Sequence, residues 1–225
     1  MRALDWFLDL LFPPKSALCG RLLDGEEGGI CGGCRQQLPF TTGADSLRAG
    51  AFGRCAVAFR YEGAVKDGIH ALKFGGRPAA ARAFAPYLAA AAAEHFAGEF
   101  DAVTYVPVSA RRLRQRGYDQ SRLLAEAAAA LWQAPAERTL EKTRDNPAQS
   151  TLSAKERRAN VENAYAPAEG ADIAGRRFLL IDDVLTTGST LAACADTLRR
   201  AGAAGVVCAA LATPRPAQAE QKEEG

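Results

Sequence analysis

One stretch constrains this chain more than any other: Phe178-Leu179-Leu180-Ile181-Asp182-Asp183-Val184-Leu185-Thr186-Thr187-Gly188-Ser189-Thr190. Four apolar residues read as a buried strand, and two carboxylates follow at its C-terminal end, the rim where open α/β sheets bind ligands. A turn of hydroxyl residues and glycine then opens a helix. The helix start offers converging N–H groups and the positive end of the helix dipole, a cradle for an oxyanion. Gly188 permits close backbone approach, and the hydroxyls of Thr186, Thr187, Ser189 and Thr190 add donors.

Paired acids beside such a cradle would repel a bare phosphate. They suit a ligand with hydroxyls or a metal ion on one side and phosphate on the other, and a ribose 5-phosphate has both halves. The competing phosphate motifs, G-x4-G-K-[S/T] and G-x-G-x-x-G, do not occur in the chain.

The motif sits in an α/β context. Cys55 to Tyr61 and Ala102 to Val108 read as strands, and Ala64 to Phe74 as a helix or turn ending at Gly75-Gly76. Pro78 starts an alanine-rich helix to Phe96, which Pro86 kinks or divides. Asp119 or Ser121 caps a helix with Leu124, Ala127, Ala128 and Leu131 on one face. After the motif, Leu191, Cys194, Ala195 and Leu198 line a helix that Gly202 closes, and Val206 to Leu211 returns as a strand. The expected fold is a mainly parallel sheet flanked by helices, with residues 51–214 as its domain. Residues 1–50 form a small cysteine-containing module held by something other than a core. Residues 215–225 are a charged, disordered tail.

Composition narrows the function classes. With 28 Lys and Arg against 26 Asp and Glu, the chain has no global basic field for nucleic acid. The apolar start, Trp6 to Pro14, holds Asp9 and is too short to span a bilayer, so no membrane insertion is expected. Six cysteines in 225 residues are too sparse for a disulfide scaffold and point to a reduced cytoplasm.

Two further stretches carry charge. In Val106-Pro107-Val108-Ser109-Ala110-Arg111-Arg112-Leu113-Arg114-Gln115-Arg116-Gly117-Tyr118-Asp119-Gln120-Ser121, a strand ends in a loop with four arginines. Those arginines can neutralise a polyanion on the same rim as Asp182 and Asp183. Residues 139–170 read as a long polar excursion. There Lys142, Arg144, Gln149 and Arg157 can close over a bound polyphosphate. Lys73, in Leu72-Lys73-Phe74-Gly75, is a weaker phosphate candidate.

Together these stretches resemble the competence protein F (ComF) family of the type I phosphoribosyltransferase superfamily, over about residues 5–213. The carriers are the N-terminal cysteines, L-K-F-G, V-P-V with R-x-R-G-Y-x-Q-S, K-x-R, and I-D-D-V-x-T-T-G-S-T, in that order. The resemblance implies a phosphoribosyltransferase fold that binds phosphoribosyl pyrophosphate (PRPP) with Mg²⁺. Asp182 and Asp183 would be catalytic, and Thr186, Thr187, Gly188, Ser189 and Thr190 would take the 5-phosphate. Ser109, Arg111, Arg112, Arg114 and Arg116 would hold pyrophosphate.

It also implies a link to DNA uptake. The alternative function is a non-catalytic accessory protein on the same fold, binding single-stranded DNA or a helicase partner. One departure is Asp119, where the family usually has Asn; the extra charge either weakens anion binding or caps the helix.

The family usually carries two C-x2-C pairs for zinc. Here Cys31-Gly32-Gly33-Cys34 is intact, but the first pair reads Ser16-Ala17-Leu18-Cys19. Cys19, Cys31 and Cys34 remain as zinc ligands, with Cys55 the candidate for a fourth. Cys194 and Cys208 read as small apolar fillers.

Overall fold

A computed structural model describes residues 13–23, 27–144 and 164–215. Of the expected tail only Arg215 is described, and it pairs with Glu62 at 2.9 Å; residues 216–225, Gln149 and Arg157 lie outside the described residues. Five strands form one sheet in the order β1-β2-β7-β6-β3, with β1 Leu47–Gly50, β2 Gly53–Arg60, β3 Ala102–Tyr105, β6 Arg177–Val184 and β7 Gly205–Thr213. All neighbours run parallel except β1, which returns antiparallel along β2. The fold is therefore α/β with a mainly parallel sheet, as the alternating apolar runs imply.

Alternation along each strand divides the core into two layers. Ala56, Ala58, Leu179, Ile181, Ala209 and Leu211 face one side. There they meet α2 (Gly63–Phe74), α3 (Ala79–Phe96) and α5 (Gln120–Trp132) through Ile69, Leu72, Phe84, Leu88, Leu124 and Ala128. Cys55, Val57, Phe178, Leu180, Cys208 and Ala210 face the other side, where α6 (Ser189–Arg200) packs Leu191, Cys194, Ala195 and Leu198 against them. Period 2 on buried strands, with both faces covered, is the reason these segments read as continuous apolar runs.

Several local expectations change. Helix α3 runs undivided through Pro86, which lies on the exposed face. A carbonyl that loses its partner to proline can be hydrated there. Leu131 is 55% exposed rather than on the packed face. Trp132 takes the packing position at that end of α5, edge-on to Phe100 at 5.4 Å. The polar excursion is not irregular where described: β4 (Leu140–Lys142) pairs antiparallel with β5 (Tyr165–Pro167), and buried Leu140 and Tyr165 anchor this ribbon on the α6 side.

The cysteine module is not held by its thiols alone. Leu18, Ile30 and Leu38 belong to the same core layer as α2 and α3. Gly68 of α2 makes room for this contact, since a Cβ there would lie 2.4 Å from Leu18 Cδ2. Among the described residues no helix is long and apolar enough to cross a membrane.

Candidate functional site

The C-terminal ends of the parallel strands open into one cleft of about 550 Å³. Strand β6 delivers Asp182 and Asp183 to the cleft, the loop to α6 brings Thr186, and the first turn of α6 brings Thr190. Gly188 holds φ +76 at the start of α6, a left-handed conformation that side chains disfavour. It also abuts Phe52, so only a missing Cβ fits. The first turn of α6 turns its N–H groups out of the helix, as every helix start does. Gly188 lines a small recess beside the cleft with Asp182, Thr186 and Thr190. Thr187 and Ser189 line neither space; their hydroxyls lie 3.1 Å from each other at the turn.

The arginine segment is a helix, not a loop. Ser109 caps α4 (Ala110–Arg116) by accepting the Arg112 N–H at 3.3 Å, and Gly117 stops it at φ +79. Ser109 is therefore buried as a cap and does not line the cleft. Helical geometry also divides the arginines. Arg111, Arg112 and Arg116 line the cleft, whereas Arg114 sits roughly 150° around the axis from their mean direction and does not. Lys142 of β4 also lines the cleft, beside the Tyr165 ring, and Arg144 does not line it.

Asp119 acts as a cap. Its two oxygens accept the Val108 N–H at 2.8 Å and the Arg122 N–H at 3.1 Å, fixing the approach to α4 against the start of α5. Burial pushes its carboxyl above the ordinary range.

The two acids differ. Asp182 Oδ1 accepts the Asp183 N–H at 2.8 Å and the Ser121 hydroxyl at 3.2 Å. Burial, then the neighbouring Asp183 charge, raises the Asp182 carboxyl to about 7. Asp183 is 4% exposed and pairs through Oδ1 with Lys73 Nζ at 2.8 Å. Its buried Oδ2 has no hydrogen-bond partner among the described residues. A carboxylate oxygen so placed at an open cleft can accept a hydrogen bond from a ligand hydroxyl or coordinate a hard cation.

Some contributors carried little signal in sequence. Ser121 stands in a quoted motif but has the look of a helix cap. Tyr61, Tyr165 and Phe74 line the cleft as isolated aromatics. Only the L-K-F-G setting marks Lys73 in the sequence; Tyr118 fixes that helix end by donating its hydroxyl to the Leu72 carbonyl at 2.7 Å.

The second candidate site is the cysteine cluster. The thiols of Cys19, Cys31 and Cys34 lie within 4.8 Å of one another, with Cys19 Sγ and Cys31 Sγ 3.7 Å apart. Zn–S bonds of about 2.3 Å in a tetrahedron place sulfurs about 3.8 Å apart, so the three thiols fit zinc. Cys55 does not belong here. It is fully buried in β2, paired in register with Cys208, and its thiol faces the Ala56 carbonyl.

Comparison with known proteins agrees with this architecture. The phosphoribosyl transferase domain family matches residues 123–225, and the double zinc ribbon domain family matches residues 7–46. DNA utilization protein YhgH of Escherichia coli (strain K12) is 37% identical over 110 residues, 47% of this chain and 46% of that protein. Competence protein F of Haemophilus influenzae is 36% identical over 104 residues, 45% of each chain. Adenine phosphoribosyltransferase of Mycobacterium avium is 65% identical over 37 residues, 16% of this chain and 21% of that one. The chain thus spans about half the length of the first two relatives. Among solved structures, the glutamine PRPP amidotransferase from B. subtilis superposes with a TM-score of 0.41 at 26% identity, over 64% of this chain and 27% of that one.

Sheet, cleft and matched families define a phosphoribosyltransferase-type domain preceded by a zinc-ribbon module. Within that class, the chain is similar over about half its length to proteins named for DNA utilization and competence.

Proposed function

We propose that the cleft binds PRPP and transfers its ribose 5-phosphate to a nucleophile, releasing pyrophosphate. One observation carries this reading: the paired acids of β6, the hydroxyl-rich start of α6 and the arginines of α4 line a single cleft. Each part matches one part of the ligand. Thr186, Gly188 and Thr190, with the opening N–H groups of α6, take the 5-phosphate. Asp182 and Asp183 engage the ribose hydroxyls, with the free Asp183 Oδ2 accepting one. Arg111, Arg112 and Arg116 hold the pyrophosphate, with Lys142 in the same lining.

In the transfer, the bond from the anomeric carbon to pyrophosphate breaks and its electron pair leaves with the anion. Positive charge builds on the ring as in glycoside hydrolysis, and the two carboxylates stabilise it. The arginines stabilise the departing charge. The carboxylate oxygens of Asp182 and Asp183 suit Mg²⁺, which would add Lewis-acid stabilisation of that leaving group. The nucleophile attacks the same carbon and completes the exchange.

The relatives named for DNA utilization and competence support a role for this chain in handling incoming DNA. The test is release of pyrophosphate from PRPP and Mg²⁺ with a panel of nitrogen bases, with and without single-stranded DNA. Release stimulated by one acceptor is the expected result. PRPP binding with no release under any condition would replace transfer by a non-catalytic binding role.

A further inference from the structure

The two halves of the cysteine module, a hairpin turn and the start of a short helix, share one backbone feature. In the first, the Gly20 N–H donates to the Ser16 carbonyl at 2.9 Å; in the second, the Arg35 N–H donates to the Cys31 carbonyl at 2.9 Å. Ser16-x2-Cys19 therefore matches Cys31-x2-Cys34 in backbone hydrogen bonding as well as in spacing. Burial repeats too. The leading positions Ser16 and Cys31 are 1% and 5% exposed, and the trailing Cys19 and Cys34 are more open.

The halves meet at their leading residues, where the Cys31 N–H donates to Ser16 Oγ at 3.4 Å. Three corners of a tetrahedron are thiols, and the position that the repeat assigns to the fourth is an oxygen.

We infer that Ser16 stands at the fourth corner of this metal site, so that the module holds zinc through three thiolates and one neutral hydroxyl. Such a site carries one negative charge fewer than a four-thiolate site and has one weak ligand. Zinc bound there exchanges readily, and the Ser16 corner is where an incoming ligand enters. This inference concerns the module alone and stands whether or not the cleft turns over PRPP.

The test is zinc release from the full chain to a chromogenic chelator, for the wild type, Ser16→Cys and Ser16→Ala. The wild type should carry close to one zinc per chain. Ser16→Cys should release it at least about tenfold more slowly, and Ser16→Ala at least about tenfold faster. With cobalt in place of zinc, the thiolate-to-metal absorption of Ser16→Cys should rise by about a third, from three thiolates to four. Release from Ser16→Ala at the wild-type rate would overturn the assignment of the hydroxyl as a ligand. Less than about half an equivalent of zinc in the wild type would remove the site altogether.

Discussion

Gly188→Ala is the sharpest single perturbation of the phosphate-binding turn. Gly188 has φ +76, and an L-residue in the left-handed region costs about 1–2 kcal/mol. A Cβ at this position would lie 2.3 Å from Phe52 Cε1 and 2.6 Å from Phe52 Cδ1. Phe52 is 6% exposed and packed in the α6-side core, so the ring cannot swing into solvent. Overpacking of this kind costs about 1–3 kcal/mol. The two contributions together come to about 2–5 kcal/mol, a large part of a typical domain stability of about 5–15 kcal/mol. Urea unfolding followed by circular dichroism should show a lower midpoint with an unchanged slope. Repeating the substitution in a Phe52→Ala background separates the contributions: the cost of Gly188→Ala should fall to the backbone share of about 1–2 kcal/mol. A loss below about 0.5 kcal/mol in the wild-type background would refute the packed, left-handed start of α6.

Four further outcomes follow from the same geometry. Asp182 titrates near 7 in the fold against 3.8 for a free carboxyl, so its ionisation works against folding. That penalty is absent below about pH 4, grows as pH rises and is complete above about 7; Asp182→Asn should therefore gain stability relative to wild type across that window, and parallel curves would contradict the assigned burial. Asp119→Asn can accept only one of the two N–H groups that Asp119 now binds, so it should cost about 1–2 kcal/mol in urea unfolding while leaving PRPP affinity unchanged. Lys73→Met leaves Asp183 buried without its cation; it should lose about 1–3 kcal/mol in urea unfolding at neutral pH, and an unchanged midpoint would contradict the pairing. Gly68→Ala should loosen the cysteine module by driving a methyl into Leu18 and Phe84, read as faster proteolysis of residues 13–45.

What the sequence made legible was whatever rests on local pattern. The β6–α6 motif announces itself because strand burial, paired acids and a glycine turn all lie within thirteen residues. The capping role of Asp119 was one of two readings that the chain left open, and only the positions of Val108 and Arg122 decide between them. The arginine segment looked like a loop because its seven residues carry charge in place of an apolar stripe. Ser109 and Gly117 are the signals that mark it as a helix. Lys73 and Ser121 reach the acids from 110 and 61 residues away in the chain, pairings that no periodicity encodes. The match of Ser16 to Cys31 is legible in the x2-Cys spacing, whereas the approach of the Cys31 N–H to the buried Ser16 hydroxyl is not.

Calorimetric titration with PRPP and Mg²⁺, comparing the wild type with the Asp182→Asn/Asp183→Asn double variant, probes the cleft most directly. Saturable binding by the wild type is expected, with affinity at least about tenfold weaker in a variant that keeps its fold. Equal affinity in the two proteins would contradict the assignment of the ribose to the acids of β6.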